Sequence, residues 1–120
     1  MESDKFTILN KDEFERTGKW LLARRSLGVK SFGMNIVELT PGEKIPEHDE
    51  VSRNQEEVFI VLEGSPTMVI DGEEYPVKVG TYIRLDPEPK RYAINKGEDS
   101  AALLIISAPK TSGYSPLEWA

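Results

Sequence analysis

No cysteine occurs among the 120 residues, and histidine occurs once, at His48. The first absence removes disulfides, Cys-ligated zinc or iron–sulfur centres and any thiol nucleophile. The second removes every site that needs two imidazoles, including the two-His-one-carboxylate iron centre of many oxygen-using enzymes. Basic residues number 15 against 21 acidic ones, a formal charge of -6. Lys and Arg must neutralise phosphates, so this balance argues against nucleic acid as a general partner and disfavours anionic membrane surfaces. No apolar run approaches the roughly 20 residues of a membrane span. The start, MESDKFTILN, lacks a basic opening and an apolar signal core, so a cytoplasmic location is expected by default. Neither a Gly-x-Ser-x-Gly elbow nor a phosphate-binding glycine loop is present.

What is present reads as a small all-β protein. The composition, 38% hydrophobic and 30% charged, is that of an ordinary globular chain, and its length predicts one domain over residues 1–120. Short apolar runs recur between turn signals. SFGMNIVEL stops at Thr40-Pro41-Gly42, EVFIVLEG at Gly64-Ser65-Pro66, TYIRL at Asp86-Pro87 and AALLIISA at Pro109. Asp71-Gly72 lies between two strand-like runs, and a tight hairpin turn there requires positive φ at both positions. In NKDEFERTG, Asn10 can cap a short helix, Glu13 can reach back, and Gly18 can end it. Six to eight antiparallel strands and one short N-terminal helix are expected.

Val58 to Leu62 and Leu103 to Ile106 are apolar on both strand faces. A barrel interior covers only one face, so the other needs a second layer. Three candidates exist: the segment around Trp20, Leu21 and Leu22, the segment around Tyr114 and Trp119, or a second copy of the chain. Near the C-terminus, Trp119 is expected to cover apolar surface.

PGEKIPEH, EEVFIVLEG, the Asp-Gly hairpin and GTYIRLDPEPKRYAIN, taken in order, resemble the cupin superfamily over about residues 33–107. The resemblance implies a cupin-type antiparallel β-barrel, or jelly roll, with the terminal segments packed on it. In the family's first motif a glycine is followed, five residues later, by His-x-His, then a glutamate and, six residues further, a glycine. Gly42, His48, Glu57 and Gly64 match, whereas Glu50 stands at the second histidine and VSRNQE is longer than the usual gap. In the second motif Gly80 and Asn95 match, but Asp86 stands for proline, Glu88 for glycine and Arg91 for the metal-binding histidine. Scaffold positions match well and metal positions match badly.

As the family implies, a usual site holds a divalent metal with three histidines and a glutamate. Arg91 has no lone pair to give and, pointing inward, would oppose a cation. His48, Glu50 and Glu57 remain as a set that could hold Mn, Zn or Ni weakly, or no metal at all, with affinity falling as pH drops through about 6.5, the ordinary imidazole value. Competing readings stand beside this one. His48 could be a solvated loop residue. Glu57 and Arg91 could form an ion pair that replaces the metal, since burying either charge alone is costly. Alternatively Arg91 could hold the carboxylate or phosphate of an anionic ligand. Asn95 could be only a turn residue, and one of Arg24 and Arg25 could face inward.

Three functions therefore remain open: a small-molecule-binding cupin with a degenerate or weak metal site, a metal-dependent isomerase, epimerase or lyase on a small polar metabolite, and an interaction module with a vestigial pocket. The pocket residues in each case are His48, Glu50, Glu57 and Arg91. Whether the chain is an enzyme is left undecided. The expected partners are a small polar or anionic molecule and a second copy of the chain in a homodimer, with Val58, Ile60 or Leu62 near the second layer.

Overall fold

Alternation along the chain is read directly into strand faces in the computed structural model, which describes residues 1–120. In β4 (Gln55–Glu63), Gln55, Glu57, Phe59 and Val61 are buried while Glu56, Val58 and Ile60 are half-buried on the other face. β9 (Ala101–Pro109) pairs antiparallel with β4 along most of its length, placing Leu103 opposite Val61 and Ile105 opposite Phe59. β3 (Gly33–Leu39) pairs on the other side of β9, and β7 (Tyr82–Leu85) completes the far edge beside β4. Two short strands, β1 (Arg16–Thr17) and β2 (Trp20–Leu21), extend this to a six-stranded sheet in the order β1-β2-β3-β9-β4-β7.

The second sheet consists of β5 (Thr67–Ile70), flanked by β6 (Glu73–Pro76) and β8 (Arg91–Ile94). Asp71 and Gly72 join β5 to β6 with φ of 49° and 83°, the doubly positive turn expected of that pair. Single bridges from Lys44 to Ile94 and from His48 to Arg91 lay the segment before β4 along β8. Val37, Leu39, Phe59, Val61, Leu103, Met68, Ala93 and Ile45 fill the space between the sheets. Each of these side chains larger than Ala93, fully removed from water, contributes about 1.5–3 kcal/mol. Gly64 ends β4 at φ +73°, where a Cβ would lie 2.4 Å from the Ser100 carbonyl oxygen, so only glycine fits. No helix is long and apolar enough to cross a membrane.

The N-terminus departs from expectation. Asn10 and Glu13 do form a capping box, but the helix is one 3₁₀ turn, Lys11–Glu13. Phe14 turns extended, and Gly18 sits in the β1–β2 hairpin rather than at a helix end. Pairing of β2 with the free edge of β3 outweighs a few weak helix preferences. That hairpin raises the strand count to nine. The α-helix lies later, at α1 (Ala23–Leu27), closed by Gly28 in the left-handed conformation.

The outer face of the large sheet is covered only in part. Leu21 packs on Ile36 and Ala102 there, flanked by Phe14 and Leu104. Trp20, one residue earlier on its strand, points the other way and lines the interior cavity. Leu62 and Tyr82 stay 43% and 69% exposed, and Val58 and Ile60 half-buried. The C-terminal segment does not act as the second layer, for Tyr114 and Trp119 are 77% and 85% exposed.

Candidate ligand and metal site

Glu57 is carried on the inner face of β4, between Leu85 of β7 and Ser107 of β9. His48 faces it because its backbone exchanges two hydrogen bonds with Arg91, at 3.1 and 2.8 Å. Glu50, two residues on, is held when its amide donates to the Pro87 carbonyl at 2.9 Å. The structure thereby brings His48, Glu50 and Glu57 together, one donor atom from each lying within 4.8 Å of the others. His48 Nε2 is 3.3 Å from Glu50 Oε2 and 3.9 Å from Glu57 Oε1.

These separations suit a shared ion, since two ligands at about 2.1 Å from one metal lie up to about 4.2 Å apart. His48 Nδ1 is 3.1 Å from the Pro46 carbonyl oxygen. With the proton on Nδ1, that contact is a hydrogen bond and leaves the Nε2 lone pair directed at the two carboxylates, the arrangement usual for metal-binding histidine. Glu57 Oε1 is buried without any hydrogen-bond partner, which a cation or a donor on a ligand would supply. On these grounds the residues fit a divalent ion. Arg91 weakens the fit, because its Nε lies 3.6 Å from that same oxygen. Burial first, and then the neighbouring Glu50 charge, push the Glu57 carboxyl above the ordinary glutamate range, with Arg91 and His48 pulling the other way.

Arg91 stands behind Glu57 and off the cavity wall. It is fully buried, and its guanidinium donates to the Asp86 and Pro87 carbonyls at 2.5 and 3.3 Å. This geometry spends its fork on the protein's own turn and leaves Arg91 to support Glu57. The Asp86 side chain points to the surface, where Arg84 holds its carboxyl below the usual range. Asn95 is more than a turn residue, for it is buried and its side-chain amide ties the Leu39 and Asp99 carbonyls at 2.9 and 2.8 Å.

A cavity of about 330 Å³ opens beside Glu57 and His48. Trp20, Ile45, Phe59 and Ile105 supply apolar wall, and Asn35 and Ser107 supply polar groups. Sequence reasoning missed Trp20, Asn35 and Ser107. The last two carried a faint signal, as polar residues on the inward parity of otherwise apolar strands, whereas nothing local marked Trp20.

The family profile described as a cupin domain matches residues 35–107, the stretch that holds the barrel and all three donor residues. This chain is a cupin. Among curated proteins none matches it in sequence. A cupin protein from Bacteroides fragilis superposes with a TM-score of 0.79 at 22% identity, covering 96% of this chain and 93% of its own. A sugar phosphate isomerase of the cupin superfamily from Silicibacter pomeroyi superposes at 0.73 with 22% identity, over 87% and 76% of the two chains. A predicted oxalate decarboxylase from Thermotoga maritima superposes at 0.70 with 17% identity, over 86% and 99%. At such identities these likenesses establish the jelly-roll fold of the cupin and leave its chemistry to the site.

Proposed function

We propose that this cupin binds a small polar molecule in the cavity above Glu57 and holds a divalent ion there weakly. The observation that carries the reading is the unpartnered, buried Glu57 oxygen beside the Nε2 of His48 at the cavity wall. Trp20, Phe59 and Ile105 exclude water from one side of the site, which strengthens polar contacts on the other. His48, Glu50 and Glu57 would be the ligands of the ion, and a bound ion would polarise a ligand oxygen as a Lewis acid. Two carboxylates favour a cation, while Arg91 offsets part of their charge.

A thermal-shift screen of small polar metabolites, with and without Mn²⁺, tests the reading, since a ligand bound only by the folded state raises its stability. Saturable stabilisation that disappears in His48→Ala is expected. If no compound and no metal changes the melting temperature, the cavity is vestigial and the cupin serves as an interaction module.

A second reading is favoured by the raised Glu57 carboxyl. A carboxylate tuned upward at a cavity wall is a stronger base than an ordinary one and is suited to accept a proton from a substrate carbon. Non-redox isomerisation or elimination would use that step, and the structural similarity to a sugar phosphate isomerase is in keeping with it. Incorporation of deuterium from solvent into a bound sugar phosphate, lost in Glu57→Gln, separates this reading from simple binding.

We also propose that the cupin is a homodimer. Ile36, Leu104, Ile60 and Tyr82 form one row in register across the outer face of the large sheet, with Met34, Ile106 and Val58 in the next row. Pairing this face, apolar and only partly covered by Leu21, with its own copy about a two-fold axis would remove it from water.

A further inference from the structure

The six arginines of this acidic chain are not used alike. Arg16, Arg25, Arg84 and Arg91 each stand within 4.0 Å of a carboxylate, whereas Arg24 and Arg53 have none. Both unpaired arginines line one cavity of about 470 Å³, together with Lys30, which also lacks an acidic partner. No Asp or Glu contributes to its wall, although acids outnumber bases in the chain as a whole. Three positive charges without a counter-charge, in a concave site, attract and concentrate a small anion.

The neutral part of the wall points the same way. Asn35, Gln55 and Ser107 line this cavity, and their side chains make no hydrogen bond within the protein. Ser107 Oγ sits where a side chain on Gly33 would be, 2.5 Å from its would-be Cβ, so glycine at that position leaves room for the hydroxyl. Arg24 is steadied by a 3.1 Å hydrogen bond from Nη1 to the Val29 carbonyl. Charged forks joined by free amide and hydroxyl groups are the donors an oxyanion requires.

Asn35 and Ser107 also belong to the wall of the cavity that holds His48 and Glu57. The two cavities therefore adjoin across β3 and β9. We propose that Arg24, Lys30 and Arg53 form an oxyanion subsite, and that the ligand of this cupin is a hydroxylated small molecule with a phosphate or carboxylate at one end. The anionic end sits among the three cations. The hydroxyl-bearing end reaches Glu57 and His48, whose acceptor atoms suit it. This rests on the proposed binding role of the Glu57 cavity and adds the class of ligand.

The test is an amide-resolved NMR titration of the full chain near neutral pH at low salt, where screening is weakest. Inorganic phosphate is expected to shift the amides of Gly33, Arg53 and Gln55 saturably. Glucose 6-phosphate and glucuronate distinguish a phosphate from a carboxylate end, and the tighter one should also move His48 and Glu57, while glucose alone should be at least about tenfold weaker. Arg24→Ala/Arg53→Ala should weaken the anion by about tenfold or more, whereas Arg25→Ala, which removes a charge already paired with Glu15, should leave it unchanged. Circular dichroism melts confirm that each variant folds. An anion affinity equal in the double variant and wild type, or shifts confined to other surfaces, would overturn the subsite. Mn²⁺ titration of the same samples keeps the two proposals apart. Mn²⁺ bound by wild type without any anion response sinks the subsite alone, and an anion response in wild type that binds no Mn²⁺ upholds the subsite and sinks the metal site.

Discussion

Arg91 Nε lies 3.6 Å from Glu57 Oε1, both atoms are buried, and neither has a hydrogen-bond partner. The two charges share the interior without making a close bond. Glu57 is left with an oxygen free for a ligand, while Arg91 compensates part of its charge from behind.

Removing Arg91 should therefore be costly. Arg91→Ala leaves Glu57 without its compensating charge and the Asp86 and Pro87 carbonyls without their donor, and is expected to destabilise the fold by roughly 3–5 kcal/mol. Urea denaturation measures this. A loss within about 0.5 kcal/mol would mean that Glu57 needs no partner.

The raised Glu57 carboxyl sets a pH dependence with a definite sign. Its folded value exceeds its unfolded one, so the folded state holds the proton more tightly. The corresponding stability is fully present below the unfolded value of about 4.3 and is lost as pH rises through the folded value. Glu57→Gln does not titrate. Its stability relative to wild type should climb with pH through that window, and parallel stability profiles for the two proteins would refute the shift. Glu38 and Asp86, lowered by Arg16 and Arg84, act oppositely and further toward acid.

Metal binding should be weak and sensitive to its single imidazole. Calorimetric titration of chelator-treated protein with Mn²⁺, Zn²⁺ or Ni²⁺ is expected to give an affinity that falls by about tenfold or more in His48→Ala and declines in acid, where protons compete for the ligands. Arg91→His removes the opposing charge and adds a ligand type, so it should bind more tightly than wild type. Tight binding that survives His48→Ala would place the metal elsewhere.

Assembly is checked by light scattering. A mass near 27 kDa, twice the 13.5 kDa chain, is expected at micromolar concentration, and Ile60→Asp in the middle of the outer apolar row should restore the single-chain mass. A wild-type mass of 13.5 kDa throughout would refute the dimer.

Local features were the most legible ones. Asp71-Gly72 specified its turn because the φ it requires is a property of those two residues, and Gly64 marked the end of β4 for the same kind of reason. The residues at Asn10 specify the start of a helix but not its extent. Its capping box formed as the residues dictate, yet whether the chain continued as helix depended on the open edge of β3, which lies far away in sequence. The helix at Ala23–Leu27 is barely legible in sequence, because five residues and one terminal glycine are a faint signal.

Sequence by itself determined the cupin scaffold, the inward parity of Glu57, Phe59 and Val61 on β4 and the poverty of metal ligands, because strand parity, turn chemistry and residue type act over a few bonds. Only the tertiary structure decided that Trp20 enters the cavity and Leu21 covers the sheet, that Arg91 is buried behind Glu57, and that Arg24 and Arg53 meet at one cavity. Each of these depends on strands distant in the chain being laid side by side. Charge pairing and burial are properties of that assembled space, so residue order alone does not carry them.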